Sequence, residues 1–104
     1  MLAGVAAYVI SEVEVRDETG ADRYRRLAED SIRRYGGRYL VRGALPTVPE
    51  GQWPQQQRVV VVEFPSMDRL RQWYASPEYA QALEVRRDAL TRRLLFLEGT
   101  PPPS

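Results

Sequence analysis

The first regular pattern in the chain is an alternation of residue classes over positions 7 to 15, written AYVISEVEV. Val9, Ser11 and Val13 fall on one face of this segment, and larger or charged residues fall on the other. A period of two together with β-branched residues predicts a strand.

A period of three to four residues replaces this alternation after Asp17. Acidic residues open the segment, and Gly36-Gly37 closes it, because glycine tolerates the left-handed conformation at a helix C-terminus. The spacing predicts one amphipathic helix. Its apolar face consists of Tyr24, Leu27, Ala28, Ser31, Ile32 and Tyr35.

Two strands and a long loop follow this helix. RYLVRG at 38–43 predicts the second strand, and RVVVVEF at 58–64 predicts a third strand that is buried on both faces. The loop between them is rich in Pro, Gly and Gln. Loops of this length often form lids or rims of functional sites.

The remaining segment predicts a helix broken in its middle and a last strand. Ser66 is placed to cap the helix, and Ser76-Pro77 interrupts it, with Pro77 as the first residue of its second part. The apolar face of that second part continues to Leu90, and RLLFLEG at 93–99 predicts a short fourth strand.

The order β-α-β-β-α-β predicts an α+β, ferredoxin-like fold with a four-stranded antiparallel sheet and its helices on one face. We expect residues 1–99 to form one domain and the Pro-rich residues 100–104 to be a disordered tail. The other sheet face exposes more apolar area than monomers usually show, so a homodimer through the sheet is expected. This face carries Tyr8, Ile10, Leu40, Val59 and Val61.

Composition narrows the chemistry that this fold can perform. The chain has no His, no Cys and no Lys, and its fifteen basic residues are all Arg, a bias that a GC-rich genome also produces. Imidazole, thiol and Schiff-base chemistry are therefore excluded, and no metal site is expected. A net charge of +1 argues against nucleic-acid and membrane partners, and the lack of Cys and of a signal sequence suggests the cytoplasm.

Four sequence blocks resemble the family called domain of unknown function 1330, and the resemblance runs from about Tyr8 to Gly99. The resemblance implies the dimeric α/β-barrel superfamily, in which two ferredoxin-like sheets face each other and enclose pockets. The family has no settled activity, so the resemblance defines the fold more than the function. The blocks are GGRYLVRG at 36–43, EG at 50–51, RVVVVEFPS at 58–66 and WYASPEY at 73–79.

The superfamily contains enzymes against which the sequence can be tested. Haem-dependent relatives use a His, which this chain lacks. Cofactor-independent monooxygenases and isomerases are compatible with the composition. We therefore expect a homodimer that binds a small organic molecule without metal or cofactor. The alternatives are a cofactor-independent monooxygenase or isomerase, and a non-catalytic dimeric interaction module.

Arg42 and Glu63 are the candidate catalytic residues. Simple alternation places Arg42 on the face of Leu40 and Glu63 on the face of Val61, so both would point to the dimer-facing side. In the functional interpretation Arg42 anchors an anionic or enolate oxygen while Glu63 moves a proton. In the structural interpretation the two form an ion pair that fixes strand register or dimer geometry.

The candidate ligand-binding residues lie around the helix break and at the rim of the pocket. Trp73, Tyr74 and Tyr79 are expected to wall a pocket, although aromatic residues at helical spacing are more often core. The hydroxyl of Ser76 is a polar handle or simply a helix cap. Tyr8, Trp53 and Arg86 complete the set, with Trp53 in the long loop and Arg86 either turned inward or extended to solvent.

Overall fold

The protein is described by a computed structural model that covers residues 4–101. The predictions for residues 1–3 and for 102–104 of the tail lie outside the described residues. Seven elements follow one another, a strand, a helix, two strands, two helices and a strand. They are β1 (Ala7–Val15), α1 (Glu18–Arg34), β2 (Arg38–Ala44), β3 (Arg58–Phe64), α2 (Met67–Tyr74), α3 (Pro77–Ala89) and β4 (Leu90–Glu98).

The four strands form one antiparallel sheet in the order β2-β3-β1-β4. This order and the helices between the strands confirm the predicted ferredoxin-like plan. The observed bounds of β1 and β3 are the predicted ones, and β2 runs one residue further, to Ala44. None of the helices between residues 4 and 101 is long and apolar enough to cross a membrane.

The predicted helix break and its two serine caps are confirmed. Ser66 Oγ accepts a hydrogen bond from the backbone N–H of Arg69 at 3.1 Å, and Ser76 Oγ accepts one from Tyr79 at 3.1 Å. Pro77 is at the start of α3. A backbone N–H at this position has no acceptor within the helix, so proline, which lacks the N–H, loses no hydrogen bond there. The first helix ends at the predicted glycines, and Gly36 has the left-handed φ of 82° that this ending requires.

The start of β4 was predicted wrongly. The strand begins at Leu90, which pairs with Val15, instead of at Arg93. Helix α3 ends at Ala89, directly before the strand, with no Gly or Pro between them. The chain thus lacks the residues that usually mark such a junction, and the strand gains Arg92 on its inner side.

The two sides of the sheet differ in burial. On the helix-facing side, Val9, Val62 and Phe64 are buried beneath the helices, and Leu70 and Trp73 pack into the same core. The opposite side, called the outer face below, is half-buried or exposed. By strand register it carries Tyr8, Ile10, Glu12, Val59, Val61, Glu63, Arg93, Leu95 and Leu97.

Candidate functional site

Strand β2 carries two irregularities that decide where its charged residues point. Tyr39 pairs with Val62 and Val41 with Val61, so that Leu40 is an extra residue in the ladder. Each extra residue shifts the alternation by one position. Arg42 therefore pairs with Val60 on the helix-facing side. A second extra residue, Gly43, follows with φ of 85°, a conformation in which glycine is favoured.

The prediction that Arg42 and Glu63 share the dimer-facing side is therefore wrong. Arg42 Nη1 donates to Glu29 Oε1 on α1 at 3.3 Å, and its guanidinium lies 4.3 Å from the ring centroid of Tyr39. The hydrogen bond from Arg42 holds the pKa of Glu29 below its usual range. The sheet itself separates this pair from Glu63.

Glu63 lies on the outer face and belongs to a different cluster. Its carboxylate accepts from Arg38 Nε at 2.9 Å and from the Tyr8 hydroxyl at 3.2 Å. The hydrogen bond from Arg38 is the main reason that the pKa of Glu63 lies below its usual range. The hydrogen bond to Glu63 raises the pKa of Tyr8. Tyr8 is thus a neighbour of Glu63 but lies across the sheet from Trp73, Tyr74 and Tyr79.

A cavity of about 90 Å³ lies between the helices and the helix-facing side of the sheet, and is called the helix–sheet cavity below. The buried lining residues form its inner part, and the exposed Arg42 and Arg58 lie where it meets solvent. Among the described residues its lining includes four arginines and no acidic residue. Its apolar walls include Val9, Val13, Ile32, Val60, Val62, Trp73 and Leu94.

Arg92 is the polar centre of this cavity. Its Nη1 donates to the Tyr24 hydroxyl at 2.7 Å and its Nη2 donates to the Tyr79 hydroxyl at 2.7 Å. The two hydroxyl oxygens are themselves 2.6 Å apart. Burial by itself lowers the pKa of Arg92, but the two tyrosine oxygens outweigh it, so that the pKa lies above its ordinary value. Within residues 4–101, Arg92 has no carboxylate partner.

Ser11 supplies a second polar group to the same cavity. Its side chain is only 5% exposed, and its Oγ has no hydrogen-bond partner among the described residues. A buried hydroxyl without a partner is costly, and in native proteins such a group often marks the place of a water or ligand. The cavity therefore offers the guanidinium of Arg92 and the hydroxyl of Ser11 beside its apolar wall residues.

The three aromatic residues predicted around the helix break differ in their relation to the cavity. Trp73 lines the cavity, and its Nε1 donates to Ser31 Oγ at 3.0 Å in the core. Tyr79 is fully buried behind the lining and reaches the cavity through Arg92 and Tyr24. Tyr74 is 40% exposed and packs its ring against Phe96. The predicted pocket between helix and sheet therefore involves Trp73 directly and Tyr79 indirectly.

Ser76, Arg86 and Trp53 do not line the cavity. Ser76 is buried and caps α3, while its hydroxyl donates to the carbonyl of Trp73 at 2.7 Å. Arg86 is half-buried, and its Nε has no partner within the described part of the chain. Trp53 is half-buried, and its Nε1 donates to the carbonyl of Gln57 at 3.0 Å. This hydrogen bond lies within the long loop.

The central groups of the cavity are absent from the sequence prediction. Arg92 was missed because the predicted strand began one residue after it. The available signal was the alternation of Leu90, Arg92, Leu94 and Phe96, which puts one cation on an otherwise apolar face. Helical spacing assigned Tyr24 to the apolar face of α1. The sequence does not show which tyrosine of the core accepts a hydrogen bond from an arginine, as Tyr24 does from Arg92.

The fold is α+β and ferredoxin-like, with a four-stranded antiparallel sheet and the cavity between this sheet and the helices. Residues 6–100 match the family described as domain of unknown function (DUF1330), and the chain belongs to this family. The predicted resemblance is thereby confirmed. The sequence matches no curated protein significantly.

Solved structures with low sequence identity share this fold. A protein of unknown function from Rhodopseudomonas palustris has 20% identity and a TM-score of 0.77 over 94% of this chain and 85% of that chain. SnoaB, a cofactor-independent oxygenase from Streptomyces nogalater, has 14% identity and a TM-score of 0.66 over 96% of both chains. A candidate antibiotic biosynthesis monooxygenase from Nitrosomonas europaea has 15% identity and a TM-score of 0.63, over 100% of this chain and 97% of that chain. At these identities the likeness shows the fold alone.

Proposed function

We propose that the protein binds a small organic anion in the helix–sheet cavity. The observation that carries this proposal is the half-buried guanidinium of Arg92, held by two neutral hydroxyls and not by a carboxylate. A cation withdrawn from water without a counter-ion is costly, and an anionic ligand offsets that cost. Arg also presents paired donors that match the two oxygens of a carboxylate.

The charges around the cavity support an anion over a cation. Arg25 pairs with Asp22 at 2.6 Å and Arg42 pairs with Glu29 at 3.3 Å, so their charges are partly compensated. Arg58 instead donates to the carbonyl of Gly43 at 2.9 Å and, like Arg92, has no acidic partner among residues 4–101. The uncompensated charge at the cavity is therefore positive.

The walls support a ligand with an apolar or aromatic body. Valine, isoleucine and leucine are the commonest residues of the lining, and the rings of Trp73 and Tyr39 lie beside them. Ligand sites of this kind combine apolar walls with a few polar groups that fix orientation. A ring acid or a phenol has both parts, with its oxygen near Arg92 and its ring among the aliphatic side chains.

A second copy of the chain is proposed to cover the outer face of the sheet. Leu95 and Leu97 are 42% and 52% exposed there, beside the half-buried Ile10 and Val61. An apolar face of this kind is unusual on a monomer and is buried when two sheets pack face to face. The helix–sheet cavity lies on the opposite side, so each protomer would keep its own cavity.

A thermal-shift screen with benzoate, 4-hydroxybenzoate, benzamide and toluene tests the binding proposal. A ligand at ten times its Kd stabilises a domain of this size by about 1.4 kcal/mol, which raises Tm by roughly 5–10 °C. We expect the acids to raise Tm of the wild type but not of Arg92→Met. The matched control is Arg93→Met, one residue further along β4 on the outer face, which should keep the response. No shift with either acid would count against the proposal.

The second candidate function is cofactor-independent oxygenation or isomerisation of the bound molecule. It is favoured by the arrangement of the cavity, since a cation and hydroxyl donors inside apolar walls stabilise a developing oxyanion. The fold shared with SnoaB supports it by analogy only. Oxygen uptake or product formation with a bound acid or phenol, without added cofactor, would separate this enzyme from a non-catalytic binding protein or interaction module.

A further inference from the structure

The hydroxyls of Tyr24 and Tyr79 share one hydrogen bond, and its direction decides which of them keeps a free proton. Their oxygens are 2.6 Å apart, and either can be the donor. Each oxygen also accepts from Arg92. A phenol oxygen has one proton and two lone pairs. The hydroxyl that accepts from both neighbours therefore still has its own proton to donate elsewhere.

Burial favours Tyr79 as the donor of this bond. Tyr79 is 0% exposed, and its hydroxyl has no acceptor among the described residues other than Tyr24. If Tyr24 donated instead, the proton of Tyr79 would be buried without a partner, which is a costly state. Burial, reinforced by Tyr24, also raises the pKa of Tyr79, so that this residue retains its proton.

Tyr24 differs from Tyr79 in its burial. It is half-buried and lines the helix–sheet cavity, whereas Tyr79 does not line it. When Tyr79 and Arg92 both donate to the Tyr24 oxygen, the remaining proton has the cavity open to it. Donation from a cation and a second hydroxyl polarises the Tyr24 O–H bond and makes it a stronger donor.

We propose that Tyr24 donates the hydrogen bond that recognises the ligand's oxygen, and that the cavity selects molecules in which this oxygen is an acceptor, such as carboxylates, phenolates and enolates. Tyr79 is a positioning residue that acts through Tyr24. Ser11, whose buried Oγ lines the same cavity without a partner, is a second hydroxyl available to the same molecule. This inference rests on the proposed function.

Benzoate and toluene separate the hydrogen bond from Tyr24 from binding by the apolar walls. Both molecules have the ring, but toluene has no acceptor oxygen. Dissociation constants are measured for the wild type, Tyr24→Phe and the control Tyr35→Phe. Tyr35 directly follows the same helix and donates to Glu78 at 2.7 Å, outside the cavity lining. A hydrogen bond to a charged oxygen corresponds to about 10- to 100-fold in affinity. We expect Tyr24→Phe to lose this factor for benzoate and none for toluene, while Tyr35→Phe matches the wild type.

The outcomes are distinguishable. Failure of benzoate to bind the wild type overturns the proposed function and this inference with it. Binding that is equally tight in Tyr24→Phe overturns only this inference. Tyr79→Phe keeps the Tyr24 hydroxyl as donor but removes the hydrogen bond that orients it. The loss of benzoate affinity should therefore be smaller than in Tyr24→Phe. An equal or larger loss would assign the donor to Tyr79.

A spectroscopic measurement tests the contact itself, apart from any change in stability. With ¹³Cζ-labelled tyrosine, the resonance of Tyr24 is identified as the one that Tyr24→Phe lacks. We expect benzoate to shift this resonance most among the tyrosines of the wild type. A larger shift of the Tyr79 or Tyr35 resonance would contradict the assignment.

Discussion

The guanidinium of Arg92 donates to the hydroxyl of Tyr79 across 2.7 Å and thereby joins the last strand to the third helix. The same guanidinium holds Tyr24 on α1, so one side chain connects three elements around the helix–sheet cavity. Such a cation is normally balanced by a carboxylate, but here its protein partners are neutral. We interpret the missing negative charge as the part that a ligand supplies.

A site that keeps a cation without a counter-ion should not be optimal for stability. We expect Arg92→Met to leave the free energy of unfolding within about 1 kcal/mol of the wild type, or to raise it, because an apolar side chain replaces a partly desolvated charge while the Tyr24–Tyr79 bond remains. Urea denaturation measures this. A loss of about 3 kcal/mol or more would show that Arg92 is structural and has no need of a ligand.

Ser76 is expected to act as a helix cap and to have no part in binding. Ser76→Ala removes the acceptor of the Tyr79 N–H and should cost about 1 kcal/mol, as helix caps typically do. Ser66→Ala, at the matching position of α2, should cost a similar amount and serves as the control. If Ser76→Ala abolished benzoate binding while Ser66→Ala did not, Ser76 would be a ligand contact after all.

The outer face is expected to hold the dimer together. Val61→Lys puts a charge in the middle of that face, where a dimer would bury it without a partner, at a cost of several kcal/mol. Sedimentation velocity at micromolar concentration should show a dimer for the wild type and a monomer for Val61→Lys. Gln81→Lys, on the exposed surface of α3, should remain dimeric. A monomeric wild type would contradict the dimer proposal.

The Glu63 cluster predicts a pH-dependent contribution to stability. Because the hydrogen bond from Arg38 lowers the pKa of Glu63 in the folded state below the ordinary 4.5, its contribution is present above pH 4.5. It is lost as the pH falls through the folded-state pKa. The stability difference between wild type and Glu63→Gln should therefore be constant near neutral pH and shrink in acid, as urea titrations at several pH values would show. An unchanged dependence in an Arg38→Gln background would contradict the assigned cause.

Regular alternation explains how much of this fold could be predicted. β1 alternates from end to end, β3 has an unbroken apolar run from Val59 to Val62, and prolines, glycines and serines mark most of the helix ends. The alternation rule fails for β2, because the extra residue Leu40 in its ladder moves Arg42 to the other side of the sheet. In RYLVRG only Gly43 marks an irregularity, and it gives no sign of the extra residue at Leu40.

The candidate site was predicted less well than the fold for a related reason. Contacts between Arg92, Tyr24 and Tyr79 join residues 68, 55 and 13 positions apart, and only the folded chain brings them together. Alternation predicts on which face of the sheet a residue lies. It does not predict which residue of another element that side chain contacts. A single arginine on an apolar strand face is nevertheless a usable signal, and it points to Arg92 once the start of β4 is known.

The central claim is that an organic anion occupies the helix–sheet cavity with its oxygens at Arg92. Anomalous diffraction from crystals soaked in 4-bromobenzoate tests this most directly, because the bromine locates the ligand independently of its density. We predict a bromine peak among the apolar walls of the cavity and carboxylate oxygens within hydrogen-bond distance of Arg92. Bromine sites found only outside the cavity, or none at a ligand concentration that saturates any measured binding, would contradict the account.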